Sequence, residues 1–168
     1  MTDPVFDPLR MLGVLDRHDV RFVMIGGLAG RLWGSPTVTN DLDVCHARDR
    51  TNLRRLAEAL RELGARLRGI SEDVPFLLDD RALAAGDHFT LVTDAGNLDC
   101  LGTPAGTKGY DDLARTAELM EIGDRTIQVA AIEDLIRMKL AAGRPKDRIE
   151  AEILGAVREE IESEEGER

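Results

Sequence analysis

The stretch that decides the fold runs from Phe22 to His46, FVMIGGLAGRLWGSPTVTNDLDVCH. Arg21 to Ile25 is a β-rich apolar run that ends at Gly26-Gly27, so a buried strand is expected there. Leu28 to Trp33 reads as a short helix, stopped by Gly34-Ser35-Pro36. Asp41 to His46 alternates polar and apolar side chains, the period of a strand. Residues two apart on a strand share a face, so Asp41 and Asp43 project together while Leu42 and Val44 point into the core. Two carboxylates side by side repel one another. They are either solvated acids at a strand edge or ligands for a divalent cation, which removes the repulsion.

Working outward, a third acid bears on that choice. Asp99 sits between Leu98 and Cys100 in another apolar segment, and an ionised group flanked by core residues needs a partner. If its strand neighbours Asp41 to Val44, the three acids meet. Three carboxylates on adjacent strands can hold two metal ions for phosphoryl transfer. Taken alone, Asp99 fits equally well as the partner of an arginine. Gly26-Gly27 stands where a strand opens a helix, a place where backbone N–H groups bind phosphate and glycine permits close approach. Such a pair is also common as a plain turn.

Lys139 is the fourth feature. In Ala131 to Ala142 the apolar stripe is Ile132, Leu135 and Ile136, and Lys139 follows on the same face. A lysine there snorkels or meets an anion. The anion is either a nucleotide phosphate or a carboxylate of Asp147 or Glu150. Arg144 and Lys146, beside the Gly143 break, add positive charge nearby. Cys45 and Cys100 read as small buried hydrophobes, and His18, His46 and His88 share no metal-ligand spacing. No Ser/His/Asp or Cys/His pattern is present.

The rest of the chain supplies the frame. Asp7-Pro8 starts an amphipathic helix with Leu9, Leu12 and Leu15. Asp49 or Thr51 caps a helix striped by Leu53, Leu56, Ala57, Leu60 and Leu63, closed by Gly64. Residues 70 to 87 are ambiguous apart from a short helix near Asp80 to Ala85. His88 to Thr93 and Leu98 to Leu101 form a hairpin across Asp94-Ala95-Gly96-Asn97. Gly102 to Gly109 reads as a loop. Glu118 to Ile122 and Thr126 to Ala130 form a second hairpin. Helices follow over Ala131 to Ala142 and Pro145 to about Ile161. This order predicts an α/β (α+β) fold with one mixed sheet flanked by helices.

At 168 residues the chain is expected to be one domain, 1–168, with a helical C-terminal segment from about residue 131. With 43% hydrophobic and 32% charged residues it is neither disordered nor fibrous. No apolar run approaches the roughly 20 residues that span a bilayer. The opening MTDPVFDPLR puts acids where a secretory leader needs bases, so a cytoplasmic protein with no membrane partner is expected. A net charge of −10 argues against a non-specific nucleic-acid binder. Six glutamates lie in Arg158 to Arg168, which reads as a solvated, fraying helix end.

The combination of a strand, Gly26-Gly27, Asp41-Leu42-Asp43-Val44 and a later strand acid, Asp99, resembles the signature of the nucleotidyltransferase superfamily typified by DNA polymerase beta. FVMIGGLAGRLWG…TNDLDVCH, GNLDCLGTPAGTKGYDDL and AAIEDLIRMKLAAGRPKD further resemble the bacterial AbiEii-type nucleotidyltransferases, a group that includes toxins of abortive-infection and toxin–antitoxin systems. The resemblance covers roughly residues 10 to 150. It implies a polymerase-beta-like fold with C-terminal helices, an NTP substrate and two Mg2+ ions on Asp41, Asp43 and Asp99. Gly26 and Gly27 would hold the triphosphate, with Lys139, Arg144 and Lys146 as further phosphate ligands. An NMP would pass to a hydroxyl or phosphate acceptor on a tRNA, a small molecule or a protein, with pyrophosphate released. A cognate antitoxin protein is an implied partner. The competing expectation keeps the fold without turnover, as a nucleotide- or Mg2+-binding regulatory or antitoxin-like module.

Overall fold

The computed structural model describes residues 4–70 and 78–167. Among these residues seven strands form one mixed sheet in the order β3-β4-β5-β2-β1-β7-β6. The strands at its centre are β1 (Phe22–Ile25), β2 (Asp41–His46) and β5 (Gly96–Leu101). β2 runs antiparallel to β1 and parallel to β5. β4 (His88–Thr93) forms the expected hairpin with β5, and β3 (Arg66–Leu67) extends that edge. β7 (Arg125–Val129) runs parallel to β1 and pairs in a hairpin with β6 (Glu118–Ile122) at the other edge. The sheet is thus mixed, as the order of elements predicts.

Helices α1 (Pro8–Arg17), α3 (Arg50–Glu62) and α4 (Asp80–Ala85) pack in sequence against one another. α2 (Gly26–Trp33) packs on β2 and on α6 (Ile132–Ala142), which carries α7 (Pro145–Gly166). Leu42 and Val44, fully buried, join Leu15, Leu53, Leu56 and Leu60 in one core. That burial anchors β2, so its opposite pleats must present Asp41 and Asp43 away from this core.

Several local expectations shift. The helix after β1 starts at Gly26, so the glycine pair lies inside its first turn rather than before it. Leu9 is exposed, and the buried side of α1 is Met11, Leu12, Val14 and Leu15. α5 (Tyr110–Thr116) and β3 are additional elements. α5 buries only Leu113, too little for a periodic signal, and opens from Gly109 at φ +97. α7 runs on to Gly166 with its terminal glutamates exposed, five residues beyond the expected end at Ile161. Part of the ambiguous 70–87 stretch, residues 71–77, lies outside the described residues.

Candidate active site

β2 and β5 carry the acids. Their parallel register sets Asp43 directly opposite Asp99, and Asp41 opposite Asn97. The two pairs are two residues apart along each strand and therefore share a face. Asp43 feels its burial, the negative charge of Asp99 and that of Asp41, and its pKa rises to about 7. Lys139 opposes that rise with a smaller pull. Two carboxylates this close cannot both ionise cheaply, and one holds a proton near neutrality.

Asp99 has a second neighbour that sequence reading left unnamed. Arg68, just past β3, donates from Nη2 to Asp99 Oδ1 at 3.0 Å and to the Leu91 carbonyl at 2.7 Å. The signal was present, since an acid in an apolar strand calls for a cation. Which cation answers depends on how β4 and β5 bring the β3 edge alongside. Asp41 Oδ1 accepts from Asn97 Nδ2 at 3.1 Å.

Gly26 is the point where the chain must have glycine. Its φ is +75, and a Cβ there would lie 2.1 Å from Asp43 Oδ2 and 2.9 Å from Asp43 Cβ. The backbone therefore comes directly against the carboxylate. Gly27 has a different role in packing, because its missing Cβ would stand 3.1 Å from Thr39 Cβ.

A cavity of about 420 Å³ opens in front of these groups. Gly26, Asp43, Asp99, Lys139 and Arg144 line it, together with Thr103, Pro104, Met138 and Asp147. Asp41 and Gly27 lie beside this lining rather than in it, and Lys146 is exposed and outside it. Lys139 reaches the cavity while pairing with Glu150 at 2.5 Å and Asp147 at 3.6 Å. Both readings of this lysine are thus present in one geometry. Asp147, whose side chain is 1% exposed, also receives the Arg144 guanidinium through Nε at 2.7 Å. Arg144 holds its carboxyl below the ordinary carboxylate range. This satisfied network of two cations and two carboxylates fixes Lys139 and Arg144 at the cavity wall.

Among the described residues no three His, Cys, Asp or Glu side chains form a group able to cage a metal alone. The donor set nonetheless suits magnesium, which takes one or two carboxylates and completes its shell with water and substrate phosphates. The half-buried and mutually repelling Asp43 and Asp99 are such a pair of hard oxygen donors.

No family profile and no curated protein matches the chain. Solved structures do. The lincomycin-bound lincosamide antibiotic adenylyltransferase LnuA superposes with a TM-score of 0.60 at 13% identity, covering 92% of this chain and 99% of that one. A Thermotoga maritima protein assigned to the nucleotidyltransferases gives 0.56 at 20% identity, with 98% of each chain covered. The fold is that of the nucleotidyltransferases. The antibiotic-resistance factor ANT(2'')-Ia adds a TM-score of 0.54 at 16% identity, over 95% of this chain and 91% of its own. ANT(2'')-Ia has also been solved with adenylyl-2''-tobramycin. The mixed sheet and C-terminal helices of this chain are thus a nucleotidyltransferase arrangement at almost full length. Among the described residues no helix is long and apolar enough to cross a membrane.

Proposed function

We propose that this chain is a nucleotidyltransferase that moves a nucleoside monophosphate from an NTP to a hydroxyl acceptor. The observation that carries the reading is the opposed Asp43 and Asp99 facing one cavity with Gly26, Lys139 and Arg144. A cavity with carboxylates on one wall and cations on the other suits a triphosphate held through a divalent ion.

Gly26, where any side chain would collide with Asp43, brings the start of α2 against the acids, so the N–H groups of its first turn stand beside them for a phosphate. Lys139 and Arg144 offset further phosphate charge, Lys139 as a point charge and Arg144 through its planar fork. The acceptor oxygen attacks the α-phosphorus, and its proton passes to the Asp99 carboxylate. The bond between the α-phosphorus and its bridging oxygen breaks, and pyrophosphate leaves with the electron pair. Asp41, Asp43 and Asp99 would hold magnesium, two ions in the full assignment. When bound, that metal supplies positive charge against the charge developing on the transferring phosphoryl group. Gly27 packs against Thr39, and Lys146 is exposed outside the cavity lining.

Two structural neighbours are associated with small molecules, one a lincosamide antibiotic adenylyltransferase and the other in complex with adenylyl-2''-tobramycin. They favour a small-molecule acceptor over a tRNA end or a protein. The test is incubation with each α-labelled NTP, Mg2+ and separate RNA, protein and small-molecule fractions of a cell extract. Label should enter the small-molecule fraction, and Asp43→Asn should abolish transfer while the fold is retained. No transfer to any fraction, together with no binding of Mg2+–NTP, overturns the reading.

A further inference from the structure

A second cavity, of about 530 Å³, lies on the other side of the acids. Phe6, Asn40, Arg68, Val92 and Asn97 form most of its lining. The two cavities adjoin along a row of paired side chains on one face of β2 and β5. Arg68 lines the second cavity while its partner Asp99 lines the first. Asn97, two residues before Asp99 on the same face of β5, lines the second cavity and donates to Asp41. A group at the near edge of the second cavity is therefore within reach of the proposed catalytic acid, which lines the nucleotide cavity.

The guanidinium of Arg68 is held at one end only. Nη2 makes both of its protein hydrogen bonds, to Asp99 and to the Leu91 carbonyl. Nε is buried without a partner, and Nη1 makes no hydrogen bond among the described residues. The side chain is 31% exposed and lines the cavity. Among the described residues of the lining, Arg68 is the one charged side chain, and the other polar side chains are the Asn40 and Asn97 amides. A pinned fork with a spare donor recognises phosphate or carboxylate oxygens. Amides beside it suit hydroxyls.

We infer that the second cavity is the acceptor site and that the acceptor is a small hydroxy compound bearing an anionic group, phosphate or carboxylate, held by Arg68. This rests on the nucleotidyl-transfer reading above. It sets the chain apart from an enzyme acting on polycationic aminoglycosides, because Arg68 repels an ammonium placed where the reacting hydroxyl must sit. The volume fits a molecule of sugar-phosphate size. The net charge of −10 disfavours a polynucleotide carrying the same phosphate chemistry.

The experiment is NMR titration of the full chain, following the Arg68 Nε–H and the Asn40 and Asn97 side-chain amides. Probes are glycerol 3-phosphate, glucose 6-phosphate and gluconate, their neutral counterparts glycerol and glucose, tobramycin, and tRNA. At least one of the small anions should shift these signals at concentrations where glycerol and glucose do not. Arg68→Gln should weaken that binding more than tenfold, and Arg68→Lys, which keeps the charge on Asp99, should weaken it less. Tobramycin and tRNA should leave the signals in place. No response to any small anion, an equal response from Arg68→Gln, or a response to tobramycin or tRNA at these signals overturns the assignment. Mg2+–ATP is titrated in parallel against Gly26 and Lys139. Silence there with anion binding intact sinks the transfer reading and leaves the anion site standing. The converse sinks the anion site alone.

Discussion

The α-carbon of Gly26 faces the Asp43 carboxylate so closely that a Cβ at position 26 would sit 2.1 Å from Oδ2. The clash reaches back to Asp43 Cβ at 2.9 Å, so a new side-chain rotamer of Asp43 cannot relieve it. Gly26→Ala also forces an L-residue to φ +75, which costs about 1–2 kcal/mol by itself. We predict a loss of about 2–4 kcal/mol by urea unfolding, since the overlap adds to the backbone strain. Nucleotide binding should fall at the same time. Gly27→Ala, whose nearest neighbour is the Thr39 side chain at 3.1 Å and whose φ is not in the left-handed region, should cost less than half as much.

Asp43 makes stability depend on pH in an unusual direction. Its pKa in the fold is about 7, because of burial and the charges of Asp99 and Asp41, against 3.8 when unperturbed. Between those values the native state binds the extra proton, so this contribution to stability is full in acid and is lost as pH rises through 7. Asp43→Asn carries no charge at any pH. The variant should gain on the wild type between pH 4 and pH 8, by about 4 kcal/mol, measured as a difference in unfolding free energy without metal. Mg2+ at pH 8 should raise the wild-type melting temperature and leave that of Asp43→Asn nearly unchanged, and chelation should reverse the gain. Equal responses in both proteins would remove Asp43 from the metal site.

His46 works in the opposite sense. It is fully buried, neither ring nitrogen has a partner among the described residues, and burial with the nearby Arg48 charge lowers its pKa to about 4, partly offset by Asp87. The unfolded chain protonates it near 6.5, so stability is lost as pH falls from about 6.5 towards 4. His46→Leu should therefore exceed the wild type by about 2 kcal/mol at pH 5, with a smaller difference at pH 8. Chemical unfolding at the two pH values measures it, and a difference that grows towards pH 8 contradicts it.

Lys139 belongs to the cavity and to an ion-pair network at once. Lys139→Met keeps the stem and deletes the ammonium. Glu150 then loses its 2.5 Å partner, while Asp147 keeps Arg144. The expected cost in stability is about 1 kcal/mol, since both Lys139 and Glu150 retain partial contact with water. The NTP affinity in Mg2+ should fall about tenfold by calorimetry, the equivalent of one charge-assisted contact. Unchanged affinity would confine Lys139 to the network. Asp147→Ala is the contrasting variant, because it leaves Arg144 and Lys139 without their buried partner, and about 3 kcal/mol of stability should go with it.

What could be read directly from the sequence was whatever depends on a residue's own element. The alternation of Asp41, Leu42, Asp43 and Val44 determined which side chains enter the core, because a strand has a period of two wherever it lies. The helix stripes, the hairpin turns and the break at Gly143 were legible for the same reason, while α5 was missed because one buried leucine leaves no period. Periodicity says which face a residue takes but never which element lies across from it. The pairing of β2 with β5 in parallel, which opposes Asp43 to Asp99, joins segments separated by dozens of residues and was decided by packing of the whole sheet. The same holds for Arg68, brought to Asp99 from the sheet edge, and for the second cavity beyond it. Asp147 was legible as a carboxylate that could meet Lys139, and only the docking of α7 on α6 buried it between Arg144 and Lys139. Such contacts exist only once the sheet order is set, since the burial that stabilises them comes from elements that no local pattern can name.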